Sequence, residues 1–177
     1  TYWYESQLRS YAMNSLSLHA VNASSSYEVS AVNDGCYQFF TDYGVHCTVE
    51  FVLDDSLLSH ETYHLVIVNV NHQKSPSDVK VRDTIIAIID EFFVENNTTL
   101  LYICETGDKK QALRNRLFER WFSTYERKAQ YTFVASSLKD DEGIENYAAI
   151  IVRNDNPDLS AIVAKFTTTI SLLSTKP

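Results

Sequence analysis

Between Gly44 and Gly107 the chain passes through two strands, a helix and a third strand without a single glycine. In an α/β fold this is the region that usually holds a phosphate-bearing cofactor. A turn that cradles phosphate needs glycine, because backbone N–H groups must approach the ligand closely and adopt positive φ. Here the strand-to-helix turn reads Asn71-His72-Gln73-Lys74-Ser75-Pro76-Ser77-Asp78. It offers none, so the familiar glycine-rich nucleotide turns are excluded.

The elements around that turn follow from periodicity. Leu8, Tyr11, Ala12 and Leu16 are spaced for an amphipathic helix over 5–19, and Asn22-Ala23-Ser24-Ser25-Ser26 reads as a linker. Strands at 27–32 and 36–41 flank Asn33-Asp34-Gly35, a hairpin signal. Residues 45–53 alternate, with Val45, Cys47, Val49, Phe51 and Leu53 on one face and His46, Thr48 and Glu50 on the other. Residues 63–70 are nearly all apolar and predict a central strand covered on both faces. Ser75 is the expected N-cap of the next helix, with Pro76 at its first position and Asp78 three residues after the cap. Val81, Ile85, Ile88, Ile89, Phe92 and Phe93 form its apolar face. A short strand is expected at 99–104 and a helix capped by Asp108 at about 109–126. Strands at 131–138 and 147–153 follow, then a last helix entered through Asn156-Pro157.

Short turns make the first four strands antiparallel, and the helical crossover makes the fifth parallel to the fourth. The fold class is therefore α/β (α+β): one mixed, mostly antiparallel sheet of six or seven strands flanked by helices. Residues 1–26 are expected to form an N-terminal helix and linker, and 27–177 the main domain. The chain's 177 residues suffice for a core without metal or disulfide support. Three cysteines, Cys36, Cys47 and Cys104, all fall in apolar strand-like runs, which argues for reduced thiols and a cytoplasmic protein. The Asn22, Asn96 and Asn97 sequons matter only on a secretory route. No apolar run reaches the length of a membrane-spanning helix. Because the chain starts at Thr1, a trimmed N-terminus is expected.

Charge is unevenly placed. Residues 109–128 carry seven basic against two acidic side chains, a net of +5, whereas the remainder carries −13 within a total of −8. At 100° per residue, Arg116, Arg120 and Arg127 fall within about 40° of one another. With Lys109 and Lys110 they form the strongest binding candidate, suited to an acidic protein or a small anionic ligand. The bland alternative is a solvated helical face. Nucleic acid is disfavoured, since the acidic remainder repels a polyanion. Lys74, Ser75, Ser77 and Lys80, at the opening of a helix, are weaker candidates for holding an anion, because capping alone explains the serine, proline and aspartate there.

His60-Glu61-Thr62-Tyr63-His64 matches the H-E-x-x-H zinc-protease pattern. That chemistry needs both imidazoles one helical turn apart. His64 leads into Leu65-Val66-Ile67-Val68, a β-branched run, and on a strand the two histidines would lie roughly 13 Å apart. No metal site is expected. Cys104 beside Glu105, and Trp121 among Leu and Phe positions, read as packing.

The element order at 63–70, 79–93, 100–104, 115–122 and 147–153 is similar to that of the acyl-CoA-dependent N-acetyltransferase (GNAT) fold. Arg116-Leu117-Phe118-Glu119-Arg120-Trp121-Phe122 resembles that family's late helix. The phrases Val81-Arg82-Asp83-Thr84-Ile85-Ile86-Ala87-Ile88-Ile89 and Ala149-Ile150-Ile151-Val152-Arg153-Asn154-Asp155-Asn156-Pro157 also resemble an uncharacterised bacterial family, chiefly from Bacteroidota. The acetyltransferase resemblance implies acyl-CoA chemistry, but the basic-x-x-glycine-x-glycine/alanine pyrophosphate loop is absent. The tyrosine that protonates the leaving thiolate aligns with Phe118, which has no proton to give. The expectation is a non-catalytic binding or regulatory protein without cofactor. An atypical N-acyltransferase is the alternative, and a zinc peptidase a distant third.

Overall fold

The computed structural model describes residues 13–54, 58, 61–104, 123, 128–139, 142–143 and 145–174. Three helices among them, α1 (Leu18–Ser24), α2 (Val79–Glu95) and α3 (Leu159–Ser174), accompany seven strands. These are β1 (Ser30–Asn33), β2 (Cys36–Phe40), β3 (His46–Asp54), β4 (Thr62–Asn69), β5 (Thr99–Cys104), β6 (Tyr131–Lys139) and β7 (Glu145–Arg153). The sheet order is β1-β2-β3-β4-β5-β7-β6. β4 and β5 are parallel, as a helical crossover requires, while β1–β2, β2–β3, β5–β7 and β6–β7 are antiparallel. The mixed, mostly antiparallel sheet expected from the pattern is the one observed.

The chain forms two compact units, Thr1–Leu53 with Val66–Asn97 and Asp54–Leu65 with Thr98–Pro177. In the first unit, Tyr37, Phe39, Cys47, Val49 and Phe51 turn one sheet face inward. Phe51 stacks on Phe92 of α2 at 4.5 Å, and Phe92 meets Phe93 edge-on at 5.1 Å. Phe92 is completely buried. Gly35 takes φ 78°, and a Cβ there would lie 3.2 Å from the Phe51 carbonyl oxygen. The hairpin turn therefore needs glycine for both conformation and space.

Four local expectations are corrected. Residues 22–24, expected as linker, belong to α1, whose N-cap is Ser17, while 13–17 are non-helical; residues 5–12 of the expected helix lie outside those described. The Asn14 and Asn96 side chains fasten this non-helical stretch to the end of α2: the Asn14 N–H donates to Asn96 Oδ1 (2.7 Å), and Asn14 Nδ2 to the Glu95 carbonyl (2.8 Å). Tertiary hydrogen bonds outweigh helical spacing there. Leu53 is 41% exposed at the end of β3, not on the buried face. β4 is buried at Thr62, Tyr63 and Leu65 but exposed from Val68 on, so it is covered over only part of its length. Finally, α2 is capped by Asp78 rather than Ser75: the helix starts at Val79, and the Asp78 side chain accepts the Lys80 N–H. Pro76 thus lies outside the helix.

In the second unit, Leu101, Ala148, Ile150, Val152, Ile162 and Phe166 form the centre of the core. The Asn156 side chain accepts the Asp158 N–H at 2.8 Å just before α3, giving the expected entry through Asn156-Pro157.

Candidate functional site

The crossover from β4 into α2 is the place where the sequence leaves a ligand question open. It solves the backbone problem without glycine: His72 itself takes φ 53°, in the left-handed region that non-glycine residues enter at a cost. Its neighbours hold it there. The His46 N–H donates to Asn71 Oδ1 (3.0 Å), Asn71 Nδ2 donates to the Gly44 carbonyl (2.8 Å), and Asn69 Nδ2 donates to the Gln73 carbonyl (3.0 Å). Lys74, Ser75 and Ser77 follow as exposed residues in irregular backbone, and the Ser75 hydroxyl donates to the Pro76 carbonyl.

At the start of α2 the polar groups converge on Asp78. Its Oδ1 accepts the Lys80 N–H at 3.0 Å, and its Oδ2 accepts the Tyr27 hydroxyl. The same phenol oxygen accepts the Asp42 N–H at 3.3 Å. Lys80 Nζ pairs with Asp42 Oδ2 at 2.9 Å and lies 5.5 Å from the centre of the Tyr27 ring. Tyr27 is buried and stacks on Phe39 at 5.9 Å. Its N–H donates to Thr84 Oγ1, which in turn donates to the Lys80 carbonyl. Burial, then the Asp78 hydrogen bond, raise the Tyr27 pKa and keep the phenol protonated. The Asp42 hydrogen bond raises that of Lys80. The positive end of the helix is thus answered by the chain's own carboxylate, and the nearest ammonium has an in-chain partner. Of the four anion candidates, only Lys80 joins this cluster.

Other candidates separate in space or in kind. Glu61 and His64 flank and join β4, with the Tyr63 hydroxyl donating to Glu61 Oε1 at 2.9 Å. Residues 62–64 are strand, so the helical pairing of imidazoles that H-E-x-x-H chemistry needs does not form; His60 lies outside the described residues. Lys109, Lys110, Arg116, Arg120 and Arg127, with the helix expected at 109–126 and Phe118, also lie outside them. Cys36 and Cys47 are free and buried. Burial pushes the Cys47 thiol up to about 11, which suits packing rather than nucleophilic attack. Cys104 ends β5. In the second unit an apolar hollow of about 70 Å³ is lined by Leu58, Leu101, Ile103, Phe166, Ile170 and Leu173.

The sequence reading missed Tyr27 as the partner of Asp78 and Asp42 as the partner of Lys80, since neither carries a local signal. It also missed Glu91, a buried carboxylate on the inner side of α2 whose Oε1 accepts the Ser17 N–H at 3.4 Å. An acidic residue within the Ile85–Phe92 stripe was the available clue.

A family model described as a family of unknown function (DUF6169) matches residues 77–168, just over half of the chain, and the chain belongs to that family. The match opens at Ser77, one residue before the Asp78 cap, and runs into α3. No curated protein and no solved structure matches the chain.

Proposed function

We propose that the chain is a non-catalytic binding or regulatory protein of the bacterial cytoplasm, built on a degenerate acetyltransferase-like scaffold. The observation that carries this reading is the Asp78 carboxylate at the N-terminus of α2, with Tyr27 and Lys80 committed around it. In the scaffold suggested by the sequence, this helix start is where a cofactor pyrophosphate would sit. A phosphate charge brought within about 4 Å of that carboxylate would meet roughly 4 kcal/mol of repulsion at an effective dielectric near 20. The buried, free thiols Cys36 and Cys47 accord with a reducing compartment.

The partner proposed is an acidic protein or a small anionic ligand, engaged through Arg116, Arg120 and Arg127 with Lys109 and Lys110. Its support is the net +5 of residues 109–128 in a chain of net −8. The second reading, an atypical acyl-CoA-dependent N-acyltransferase, is favoured by the strand order and by a parallel β4–β5 ladder confined to Thr62–His64 against Thr99–Leu101. A thermal-shift titration with acetyl-CoA and free CoA separates the two. The binding reading expects a flat melting temperature. A dose-dependent rise that persists in the Arg116→Glu/Arg120→Glu variant would overturn it in favour of the enzyme.

A further inference from the structure

In the first unit the sheet has one covered face and one open face. α2 packs on the side of Cys47, Val49 and Phe51, where Phe51 stacks on Phe92. The other side crosses β2 and β3 through the pairs Gln38–Thr48 and Phe40–His46, and Glu50 and Val52 continue it along β3. Val70, just past the end of β4, extends the Phe40–His46 row, its N–H donating to the His46 carbonyl at 2.8 Å. Phe40 is 60% exposed, and Val52, Val68 and Val70 are exposed as well. Contiguous apolar exposure of this kind marks an interaction surface. The polar side chains among these residues are tied to one another. His46 Nε2 lies 2.9 Å from Gln38 Oε1, Gln38 Nε2 donates to Ser30 Oγ at 3.3 Å, and the His46 ring stacks on Phe40 at 4.4 Å. Covering the Gln38 amide therefore costs less than covering one that has only water for a partner.

We propose that this open face is a homodimer interface, with β3 stacked antiparallel on β3 of a second copy across a two-fold axis at Thr48. Charge complementarity selects a second copy as the occupant. Within the strands of this unit the face carries one formal charge, the exposed Glu50 carboxylate, and His46 stands equally far from Thr48 on the other side. The two-fold sets His46 of each copy over Glu50 of the other, so the carboxylate meets an imidazole and never its own counterpart. Phe40, beside His46, reaches the second copy's Cys36, which is paired with Glu50. Along β4, Val70 meets the second copy's Val66, and Val68 meets Val68, so apolar groups cover apolar groups. Four strands with about six residues each give a flat footprint of roughly 400 Å² per copy. A standard interface takes about 800 Å² per partner, so the dimer is weak and reversible.

Sedimentation of the whole chain over a concentration series up to the millimolar range tests this. The wild type is expected to move from 20.2 kDa toward twice that mass as concentration rises. Thr48 is only half-buried, so either charge fits there in the monomer. Thr48→Lys sets two like charges face to face on the axis and is expected to weaken the dimer roughly tenfold or more, as is Thr48→Glu. Mixing the two variants restores association, because lysine then faces glutamate. A wild type that stays monomeric overturns the proposal. A Thr48→Lys dimer of unchanged affinity overturns it too, because the copies then meet through another surface. So does a variant mixture that fails to associate, because the loss would then come from the fold rather than the interface.

Discussion

The Tyr27 hydroxyl donates a hydrogen bond to the carboxylate of Asp78, 51 residues further along the chain. That bond joins the loop before β1 to the first turn of α2. Tyr27→Phe keeps the stacking on Phe39 and removes only the hydroxyl, leaving Asp78 and the Asp42 N–H each short of one partner. The expected loss is about 1–2 kcal/mol by urea denaturation. An unchanged midpoint would show that water replaces the phenol at no cost.

Asp78→Asn preserves a cap, since asparagine serves that position nearly as well as aspartate, but removes the negative charge from the helix start. Stability is expected to change by less than about 1 kcal/mol. The variant should gain a CoA-dependent rise in melting temperature, where the wild type is expected to stay flat. If both proteins respond alike, the carboxylate does not gate anions.

Glu91 links stability to pH. Burial, and then the neighbouring Glu95, raise its pKa above the ordinary value of 4.5, with Asp90 adding to the effect and the Ser17 N–H opposing it. The folded state therefore holds a proton that the unfolded state releases first. The stabilisation is complete below the unfolded pKa and is lost as pH rises through the folded one. Glu91→Gln, which keeps an acceptor for the Ser17 N–H, should flatten this fall. Urea midpoints measured for both proteins from pH 4 to 8 should diverge most at the alkaline end; parallel curves would rule out Glu91 as the source.

Phe92→Ala empties the centre of the first unit, where the ring stacks on Phe51 and meets Phe93 edge-on. A loss of roughly 3–5 kcal/mol is expected. A loss near 1 kcal/mol would mean that the surrounding rings collapse into the space.

Cys47, with its thiol pushed up to about 11 by burial, should resist alkylation at pH 8 until the chain unfolds. Peptide mapping after iodoacetamide treatment, with and without urea, checks this residue alone. Labelling in the native state would show that β3 opens.

Much of the fold was legible because its signals are local. Strand alternation at Cys47, Val49 and Phe51, the turn at Asn33-Asp34-Gly35, and the Ile85–Phe92 stripe each bury one face whatever else surrounds them. The errors came where a distant partner competes with a local rule. Ser75, Pro76 and Asp78 satisfy a capping pattern, yet Tyr27 holds Asp78 and the helix begins at Val79, three residues after Pro76. Leu16 fits helical spacing, yet its N–H donates to the Tyr37 hydroxyl and it lies outside the helix.

The amino-acid order by itself determined the number and kind of most elements, the parallel crossover between β4 and β5, and the absence of a glycine-based phosphate turn. These rest on side-chain periodicity and backbone conformational cost, which act over a few residues. Only the tertiary structure decided that Asp78 occupies the start of α2, that Lys80 is taken by Asp42, that Glu91 is buried, and that one sheet edge is bulged while the other runs unbroken. Each of these depends on groups brought together from distant parts of the chain, where burial and hydrogen-bond satisfaction, rather than local propensity, set the energy.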